Sequence, residues 1–456
     1  MTKRSKYRYS LYDYHAIKKA DIILDGITVL TGVNGSGKST LSRWLYYLVN
    51  GITKFDLFLF QQYVRDIQHI ICDEWDFMVR DIYRGKNGNN NSLIGQKQAS
   101  FIEWAENQLN QYIYSDSFKT EDIESVYKIF YKTLDALCED CLSLFFRSEN
   151  NEAKKIRVLT YLRVAESENL NIDATLQSIK DKFERLITRK KNNLYNSLHE
   201  RSVSDWYDLV SYEYSDYDNP PIFFQLEEDG VELYANDSLS TIYKLNKAIY
   251  IDTPMAVSSG FDENYFWNEL RDLMFTSKEG IISDTALLTR RIKDTIKGEA
   301  KLIDDINNDR ELRFVSEDGK VDIELSKAAT GVKTFTYLQR LLQNGFLNEK
   351  TLLLIDEPEA HLHPQWIVEY ARLLVLLNKN LGVKIMIASH NPDMVSAIRY
   401  ISERENVLDV TRFYLAENTE NSHQYIYKDL VNDISEVFRS FNIALDRINQ
   451  YGTNNN

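Results

Sequence analysis

One stretch near the start of the chain constrains the fold more than any other. Residues 29–43 read Val-Leu-Thr-Gly-Val-Asn-Gly-Ser-Gly-Lys-Ser-Thr-Leu-Ser-Arg, so an apolar strand runs into a glycine-rich loop and the loop opens a helix. The spacing of Gly32, four residues, Gly37, Lys38 and Ser39 is that of a phosphate-binding loop. Because strand, loop and helix follow in the required order, the stretch predicts a phosphate site rather than an ordinary glycine turn.

The residue types in this loop match the chemistry of phosphate binding. Glycines let the backbone bend so that successive N–H groups converge on phosphate oxygens, and the helix N-terminus adds a partial positive charge. Lys38 can reach the β- and γ-phosphates, and the Ser39 hydroxyl can ligate Mg²⁺. The predicted cofactors are therefore ATP and Mg²⁺, with these loop residues as contacts: Gly32, Asn34, Gly35, Ser36, Gly37, Lys38, Ser39 and Thr40.

Composition excludes several classes of protein. With 456 residues, 43% of them hydrophobic and 27% charged, the chain can bury a large core and reads as globular. A net charge of −14 argues against a protein that coats nucleic acid, although a local basic groove stays open. No run approaches the ~20 apolar residues of a membrane span. Three cysteines give no disulfide framework, and we expect a cytoplasmic protein without a membrane partner.

The pattern along the chain divides it into three segments. Residues 1–54 and 221–456 alternate strands with helices, whereas residues 55–220 are dominated by long helical patterns. The clearest helix covers about 172–199. Its basic side chains can meet a phosphate backbone or a partner, but a solvated face is the preferred interpretation; they are Arg185, Arg189, Lys190 and Lys191.

Cys138 and Cys141 lie within the same helical region. A structural zinc site needs a second pair of ligands at suitable spacing, and none lies nearby. Because cysteines at i and i+3 share one helix face, packing is the preferred interpretation.

A second decisive stretch is Thr351-Leu352-Leu353-Leu354-Ile355-Asp356-Glu357-Pro358. Four apolar residues followed by two acids, downstream of a phosphate loop, predict a Walker B strand. Asp356 would hold Mg²⁺ opposite Ser39, and Glu357 would orient and deprotonate the attacking water.

Two further segments follow the same logic. Residues 325–335, Leu-Ser-Lys-Ala-Ala-Thr-Gly-Val-Lys-Thr-Phe, come immediately before an apolar helix. Residues 383–390 form a strand that ends in His390, where a histidine can contact a γ-phosphate oxygen.

These motifs together resemble the ABC-type ATPases of the SMC, RecF, RecN and OLD group. The segment Asp356-Glu357-Pro358-Glu359-Ala360-His361-Leu362-His363-Pro364-Gln365-Trp366 resembles the OLD-like branch, whose members occur in bacterial anti-phage modules such as Septu and PARIS. The resemblance covers about residues 6–54 and 221–440. It implies an α/β fold, an ABC-type ATPase head of the P-loop NTPase class, with residues 55–220 as a large helical insertion.

The resemblance also implies a division of labour between two chains. Two heads would sandwich two ATP molecules, so that the protein is a homodimer or a higher oligomer. Each ATP would meet the loop of one head and the signature segment of the other, here Thr330, Gly331 and Lys333. The family's usual serine is Ala329 in this chain, which leaves Thr330 as a substitute.

Other family positions follow from the same resemblance. Residues 361–364 fall where the D-loop crosses the dimer interface, an interpretation preferred to a metal site made by Glu359, His361 and His363. His390 matches the switch histidine, which with Lys38 and Glu357 completes the catalytic set. For the Q-loop glutamine, Gln225 is preferred to Gln61 or Gln62.

OLD nucleases carry a Toprim domain after the ATPase, whereas 66 residues follow His390 in this sequence, so we expect no such domain in it. The expected function is therefore an ATPase that converts ATP to ADP and phosphate. It would sense a DNA or phage-derived trigger and gate a separate effector protein such as a nuclease. The alternatives are a RecF- or SMC-like ATPase that acts directly on DNA, and a scaffold that binds ATP with little turnover.

Overall fold

The structure, a computed structural model of the chain, consists of two compact units. It describes residues 5–74, 93–115, 117–147, 152–162, 171–213, 220–235, 237–252, 265–276, 283–304, 310–420 and 423–439. The head unit contains residues 1–53 and 203–456, and the helical unit contains residues 54–202.

The elements are numbered in chain order through both units. The strands are β1 Tyr7–Tyr14, β2 Ile17–Leu24, β3 Ile27–Thr31, β4 Phe223–Glu228, β5 Val231–Glu232, β6 Tyr234–Ala235, β7 Ser238–Leu239, β8 Lys247–Ile251, β9 Gly298–Asp304, β10 Arg310–Ser316, β11 Asp322–Glu324, β12 Thr351–Asp356, β13 Lys384–Ser389, β14 Thr411–Asn418 and β15 Tyr425–Val431. The helices are α1 Lys38–Thr53, α2 Phe55–His69, α3 Leu93–Ile113, α4 Thr120–Ala136, α5 Ser143–Arg147, α6 Glu152–Leu162, α7 Ile172–Glu200, α8 Val203–Glu213, α9 Tyr265–Phe275, α10 Ser283–Ile296, α11 Thr330–Gln343, α12 Pro364–Leu381 and α13 Pro392–Arg404.

The head is built on a ten-stranded sheet in the order β5-β4-β1-β2-β15-β14-β3-β13-β12-β8. Strands β14, β3, β13, β12 and β8 run parallel, while β4, β1 and β2 pair antiparallel. Every residue of β3, β12 and β13 is buried, which explains why these strands read as continuous rather than alternating apolar runs. The α/β class predicted from the sequence is confirmed.

The register of the parallel strands aligns their carboxyl ends. Thr31 of β3 lies opposite Ser389 of β13, and Ala388 lies opposite Asp356 of β12. Ile355, one residue earlier on β12, lies opposite Ile251, the last residue of β8. The segments that follow these four strands therefore meet at one edge of the sheet, where ligands of open α/β sheets bind.

Side chains from α11 and the residue after it donate hydrogen bonds to the last backbone carbonyls of α9. The guanidinium of Arg340 donates to the Met274 carbonyl through Nε at 3.1 Å and Nη2 at 2.8 Å, and Asn344 Nδ2 donates to the Leu273 carbonyl at 2.8 Å. The last carbonyls of a helix have no partners within the helix. These buried bonds therefore anchor α9 to α11 inside the head.

The helical unit packs around α7, which runs for 29 residues. Its buried stripe consists of Ile179, Phe183, Ile187 and Leu194. Cys138 and Cys141 are both buried in the π-helical turn Leu137–Leu142, in agreement with a packing role. In the helices that the structure describes, none carries an apolar stretch long enough to cross a membrane.

The boundary between the units differs from the expected one. The sequence placed the return to the head at residue 221, whereas α8 at 203–213 groups with the head. The reason is tertiary packing: Trp206 of α8 is fully buried, and its indole lies against Gly51 of α1. The sequence also predicts a polar loop at 86–92 and a closing helix at about 435–448. The loop and residues 440–448 of that helix lie outside the described residues.

We predict that Gly51→Ala destabilises the head. Alanine is a better helix former than glycine by about 1 kcal/mol, but its Cβ would lie 2.6 Å from Trp206 Nε1. The overpacking should cost about 1–3 kcal/mol and lower the Tm in a thermal unfolding experiment. Trp206→Phe should relieve the clash, so the double variant should lose less stability than the two single variants combined. Strict additivity would show that α8 does not press on α1.

Candidate phosphate-binding site

The loop between β3 and α1 surrounds a cavity of about 230 Å³ at the carboxyl edge of the parallel strands. Residues 34–40 form most of its wall, and single residues from the turn between β1 and β2, from β13 and from the position after β12 complete it. The lining residues are Ala16, Asn34, Gly35, Ser36, Gly37, Lys38, Ser39, Thr40, Glu357 and Ala388. The structure thus brings the phosphate loop and Glu357 together, although more than 300 residues separate them in sequence.

Two glycines let the loop take this path. Gly32 has φ 148° and Gly37 has φ 89°, values in the left-handed region that side chains rarely adopt. Each is also closely packed: a Cβ would lie 2.7 Å from Ala416 Cβ at Gly32 and 2.7 Å from Ile17 Cγ1 at Gly37. Strands β2 and β14 therefore support the loop from below, and any side chain at these two positions would displace it.

Lys38 holds its ammonium group within the loop. Only 5% of the residue is exposed, and Nζ donates to the carbonyls of Gly32 and Val33, both at 3.0 Å. Burial lowers the pKa of Lys38, while nearby acids, Glu357 first among them, act in the opposite direction. A buried cation within reach of backbone N–H groups is suited to anionic oxygens.

Asp356 ends β12 directly below the loop. It is 1% exposed, and burial raises its pKa to about 6. Hydrogen bonds from Ser39 and Tyr250 favour the ionised form, the latter joining Tyr250 Oη to Asp356 Oδ2 at 2.8 Å. A carboxylate bonded to a serine hydroxyl is a set of hard oxygen donors, so these two residues fit Mg²⁺ beside a phosphate loop.

Glu357 and His390 form a pair at the mouth of the cavity. His390 Nδ1 lies 3.2 Å from Glu357 Oε1. Glu357 adopts φ 43°, and its N–H donates to the Ala388 carbonyl at 2.8 Å. A left-handed conformation in a non-glycine residue is costly, and such strain concentrates at functional sites. Both side chains are about two-fifths exposed, at 36% and 43%, so water can reach them.

Glu359 supports this pair from inside the protein. Its Oε1 accepts hydrogen bonds from Ser389 Oγ at 2.7 Å and from the His390 N–H at 3.2 Å. The residue is 6% exposed, and burial raises its pKa. In the sequence, the only role indicated for Glu359 is that of a metal ligand with His361 and His363. Its position three residues after Asp356 indicates that it lies near the site. Its hydrogen-bond partners, Ser389 and the His390 N–H, lie at and after the end of β13 and could not be inferred from sequence spacing.

The histidines after Glu359 have separate surroundings. His363 caps α12, where its Nδ1 accepts from the Gln365 N–H at 3.4 Å and Pro364 fills the first turn. Both His361 and His363 are exposed. Within the described part of the chain, no group of three or more His, Cys, Asp and Glu side chains could hold a metal ion.

The signature residues lie away from the cavity of their own chain. Thr330 begins α11 and Ala329 precedes it as the N-cap residue, without a side-chain capping bond. A Cβ on Gly331 would lie 3.2 Å from both Leu362 and Trp366, so the segment packs against the start of α12. Burial lowers the pKa of Lys333. None of Thr330, Gly331 and Lys333 is among the residues that line the phosphate cavity.

The structure corrects the prediction that Gln225 is the Q-loop glutamine. It lies in β4, five strands from β3 in the sheet order and therefore about 24 Å from the loop strand. Its amide donates to Glu232 on β5. The residue that occupies the edge next to Asp356 is Asp252, immediately after β8. The apolar run at 248–251 predicts this strand, but nothing in the sequence pattern places it beside β12.

Comparison with known proteins identifies the class. The family described as "AAA ATPase domain" matches residues 10–395, so the chain belongs to this family of ATPases. No curated protein matches it.

Similar solved structures include heads of Smc proteins. One is the Smc head domain of Pyrococcus furiosus bound to the C-terminal domain of ScpA, at 12% identity and a TM-score of 0.33, with 96% of this chain and 98% of that chain covered. Another is an SmcHead bound to the C-winged helix domain of ScpA, at 10% identity and a TM-score of 0.36, with 93% and 97% covered. The SMC head domain of Thermotoga maritima has 13% identity and a TM-score of 0.29, with 50% and 85% covered.

We predict that Glu359→Gln stabilises the protein at high pH. Burial raises the pKa of Glu359 above its unfolded value, so its contribution to stability is favourable at low pH and is lost as pH rises through the folded pKa. Glutamine keeps an acceptor for Ser389 and His390 but cannot ionise. The Tm of the variant should exceed that of wild type at pH 8, by about 2 °C for each kcal/mol of ionisation cost removed. The gap should be smaller at pH 5 and should close below the unfolded pKa of about 4.3.

The matched control is Glu317→Gln, which changes an exposed glutamate and should leave the Tm at both pH values unchanged. A Tm difference for Glu359→Gln that is the same at pH 5 and pH 8 would refute the ionisation argument.

Proposed function

We propose that the chain hydrolyses ATP to ADP and phosphate at this site. The observation that carries the proposal is the convergence of three groups on one sheet edge: the Lys38 loop, the Ser39–Asp356 contact and the Glu357–His390 pair. Membership of an ATPase family agrees with it. Bound Mg²⁺ would neutralise charge that develops on the phosphates, with Ser39 and Asp356 as its protein ligands.

Each side chain has a definite task in this proposal. The loop N–H groups and Lys38 bind and orient the phosphates. The Glu357 carboxylate accepts a proton from water at the mouth of the cavity, and His390 holds the geometry of that carboxylate or contacts the terminal phosphate oxygen. Glu359 fixes the backbone of His390 through the bond at 3.2 Å.

We predict different losses from two substitutions. Lys38→Ala should weaken ATP binding at least about tenfold because it removes the buried cation. Glu357→Gln should keep binding but lower kcat about 100-fold or more, since only the proton acceptor is lost. Fluorescent-nucleotide titration and phosphate release measure the two effects. Equal hydrolysis rates in wild type and Glu357→Gln would overturn the role of Glu357.

We further propose that two heads complete each other's sites. Thr330, Gly331 and Lys333 occupy the signature positions implied by the resemblance, at the start of α11. None of them lines the phosphate cavity of its own chain, which supports the proposal. Thr330 stands at the N-terminus of α11, where the helix dipole favours an anion. A threonine hydroxyl there can replace the hydroxyl of the family's usual serine, because Ala329 occupies that serine's position.

Mixed dimers test this proposal. Lys333→Glu chains and Lys38→Ala chains should each be inactive, but a random 1:1 mixture should recover about a quarter of the wild-type sites. Lys333 is the better choice than Gly331, because any side chain at Gly331 would press on Leu362 and Trp366. Lys327→Glu, which changes an exposed lysine of the preceding turn, is the control and should stay active. No recovery in a mixture shown to contain mixed dimers would refute shared sites.

The biological role that we propose is that of an OLD-like ATPase in anti-phage defence in the cytoplasm. The residues from Asp356 to Trp366 support this branch. ATP state can control a separate effector only if the open and closed dimers offer it different surfaces. The helical unit of residues 54–202 supplies a large surface for such an effector, and a DNA or phage-derived trigger would shift the balance between the two states.

Direct action on DNA through α7 is less well supported. Lys190 is paired with Asp66 at 2.5 Å, and Lys191 forms an ion pair with Glu124 and lies over the ring of Tyr127. Arg185 and Arg189 share a surface depression with acidic side chains, Asp181 and Glu184. These bonds favour the interpretation of α7 as a solvated face.

A further inference from the structure

Tyr250 and Arg43 link the end of β8 to the proposed metal site. The two residues come from distant parts of the chain, one from the strand beside β12 and the other from α1, one helical turn after Ser39. Neither residue is among the phosphate, magnesium or catalytic contacts predicted from the sequence. They connect Asp252 and Asp356, the acids that follow and end the neighbouring strands.

We infer that Tyr250, held in place by Arg43 and Asp252, is a positioning residue for the magnesium-binding carboxylate of Asp356. This inference rests on the proposed ATPase function and deepens it. The role is to fix the orientation of the ligand, not to contact the nucleotide.

Strand register places the hydroxyl correctly. Tyr250 lies opposite Leu354 in the parallel pair of β8 and β12, and residues two apart on a strand share a face. Its side chain therefore points to the same face as Asp356, two residues beyond Leu354. Tyr250 Oη reaches Asp356 Oδ2 at 2.8 Å, and both residues are 1% exposed, so water does not compete for this bond.

Arg43 sets the direction of that bond. Arg43 Nε lies 3.4 Å from Tyr250 Oη, and Nη2 lies 3.0 Å from Asp252 Oδ2. A guanidinium can only donate, so the tyrosine oxygen accepts from Arg43 and its own hydrogen is left for Asp356. The ion pair with Asp252 keeps the guanidinium at this position.

Packing holds the ring that carries the hydroxyl. The ring of Phe266 on α9 meets that of Tyr250 edge to face at 5.0 Å, and Arg43 also lies over Phe266 at 5.7 Å. The ring of Tyr46, on α1, lies 6.0 Å from the ring of Tyr250. With one oxygen of Asp356 engaged by a fixed donor, the carboxylate cannot rotate freely and stays directed towards Ser39. Groups that orient a metal ligand in this way typically change metal affinity 10–100-fold when removed.

Tyr250→Phe tests the inference because it removes only the hydroxyl. The Mg²⁺ concentration that gives half-maximal binding of a fluorescent ATP analogue should rise about tenfold. Nucleotide affinity at saturating Mg²⁺ should match wild type, and ATP hydrolysis should fall at low Mg²⁺ and recover at high Mg²⁺. Asp252→Asn should shift the Mg²⁺ curve in the same direction by less, since it loosens Arg43 without removing the tyrosine.

The control is Tyr370→Phe. Tyr370 is fully buried in α12, and its hydroxyl has no hydrogen-bond partner among the described residues. This variant also deletes a buried tyrosine oxygen from the head, but it should leave the Mg²⁺ curve unchanged.

The outcomes separate the inference from the function on which it rests. A wild-type protein that binds the analogue without any dependence on Mg²⁺ would refute the proposed metal site itself. Wild-type dependence with an identical curve for Tyr250→Phe would refute the inference alone, and so would a loss of binding that no Mg²⁺ concentration restores. If Tyr250→Phe does not fold, an unshifted curve for Asp252→Asn overturns the inference.

Discussion

The site depends on one constraint, the alignment of four parallel strands so that their carboxyl ends meet. Pairing of β3, β13, β12 and β8 brings Gly32, His390, Asp356 and Asp252 to one edge, although they come from residues 32 to 390. The loop can then pass close to the sheet only because Gly32 and Gly37 have no side chain to collide with β14 and β2. A shift of one residue in any of these pairs would turn the polar side chains to the wrong face.

The same arrangement concentrates charge in a place that water barely reaches. Burial lowers the pKa of Lys38 and raises the pKa values of Asp356 and Glu359, so in each case it disfavours the charged form. Such groups stay in a protein when hydrogen bonds compensate them, as the loop carbonyls do for Lys38 and Ser389 does for Glu359. A magnesium nucleotide, with anionic oxygens for Lys38 and a cation for Asp356, would pair both charges. The cost of burial therefore favours binding of such a ligand.

How much the sequence predicted depends on whether a feature is contiguous. The phosphate loop, the β12 strand and the strand before His390 are local patterns, and their elements were predicted correctly. The role that we infer for Tyr250 could not be predicted, because it depends on the pairing of β8 with a strand about 100 residues later. Gln225 follows an apolar run in the sequence, but apolarity does not specify which strand lies next to it, and β4 pairs near the other end of the sheet from β12. The position of α8 was missed for the same reason, since tertiary contacts assign it to the head, among them the contacts of Trp206 with Gly51 and with the Phe224 ring of β4.

The contact between Gly331 and the start of α12 connects the two halves of the proposed mechanism. Leu362 and Trp366 follow Glu357 by five and nine residues, and both pack closely against the first turn of α11 at Gly331. The Phe335 ring continues this packing, edge to face with Trp366 at 5.5 Å and with Tyr370 at 5.2 Å. Because closely packed side chains cannot move independently, a displacement of the segment after Glu357 must be accommodated at Thr330. In a dimer with shared sites, that residue would face the nucleotide of the other head. The two ATP sites would then be coupled within each chain, through the first turn of α11, where only glycine fits at position 331 without pressing on Leu362 and Trp366.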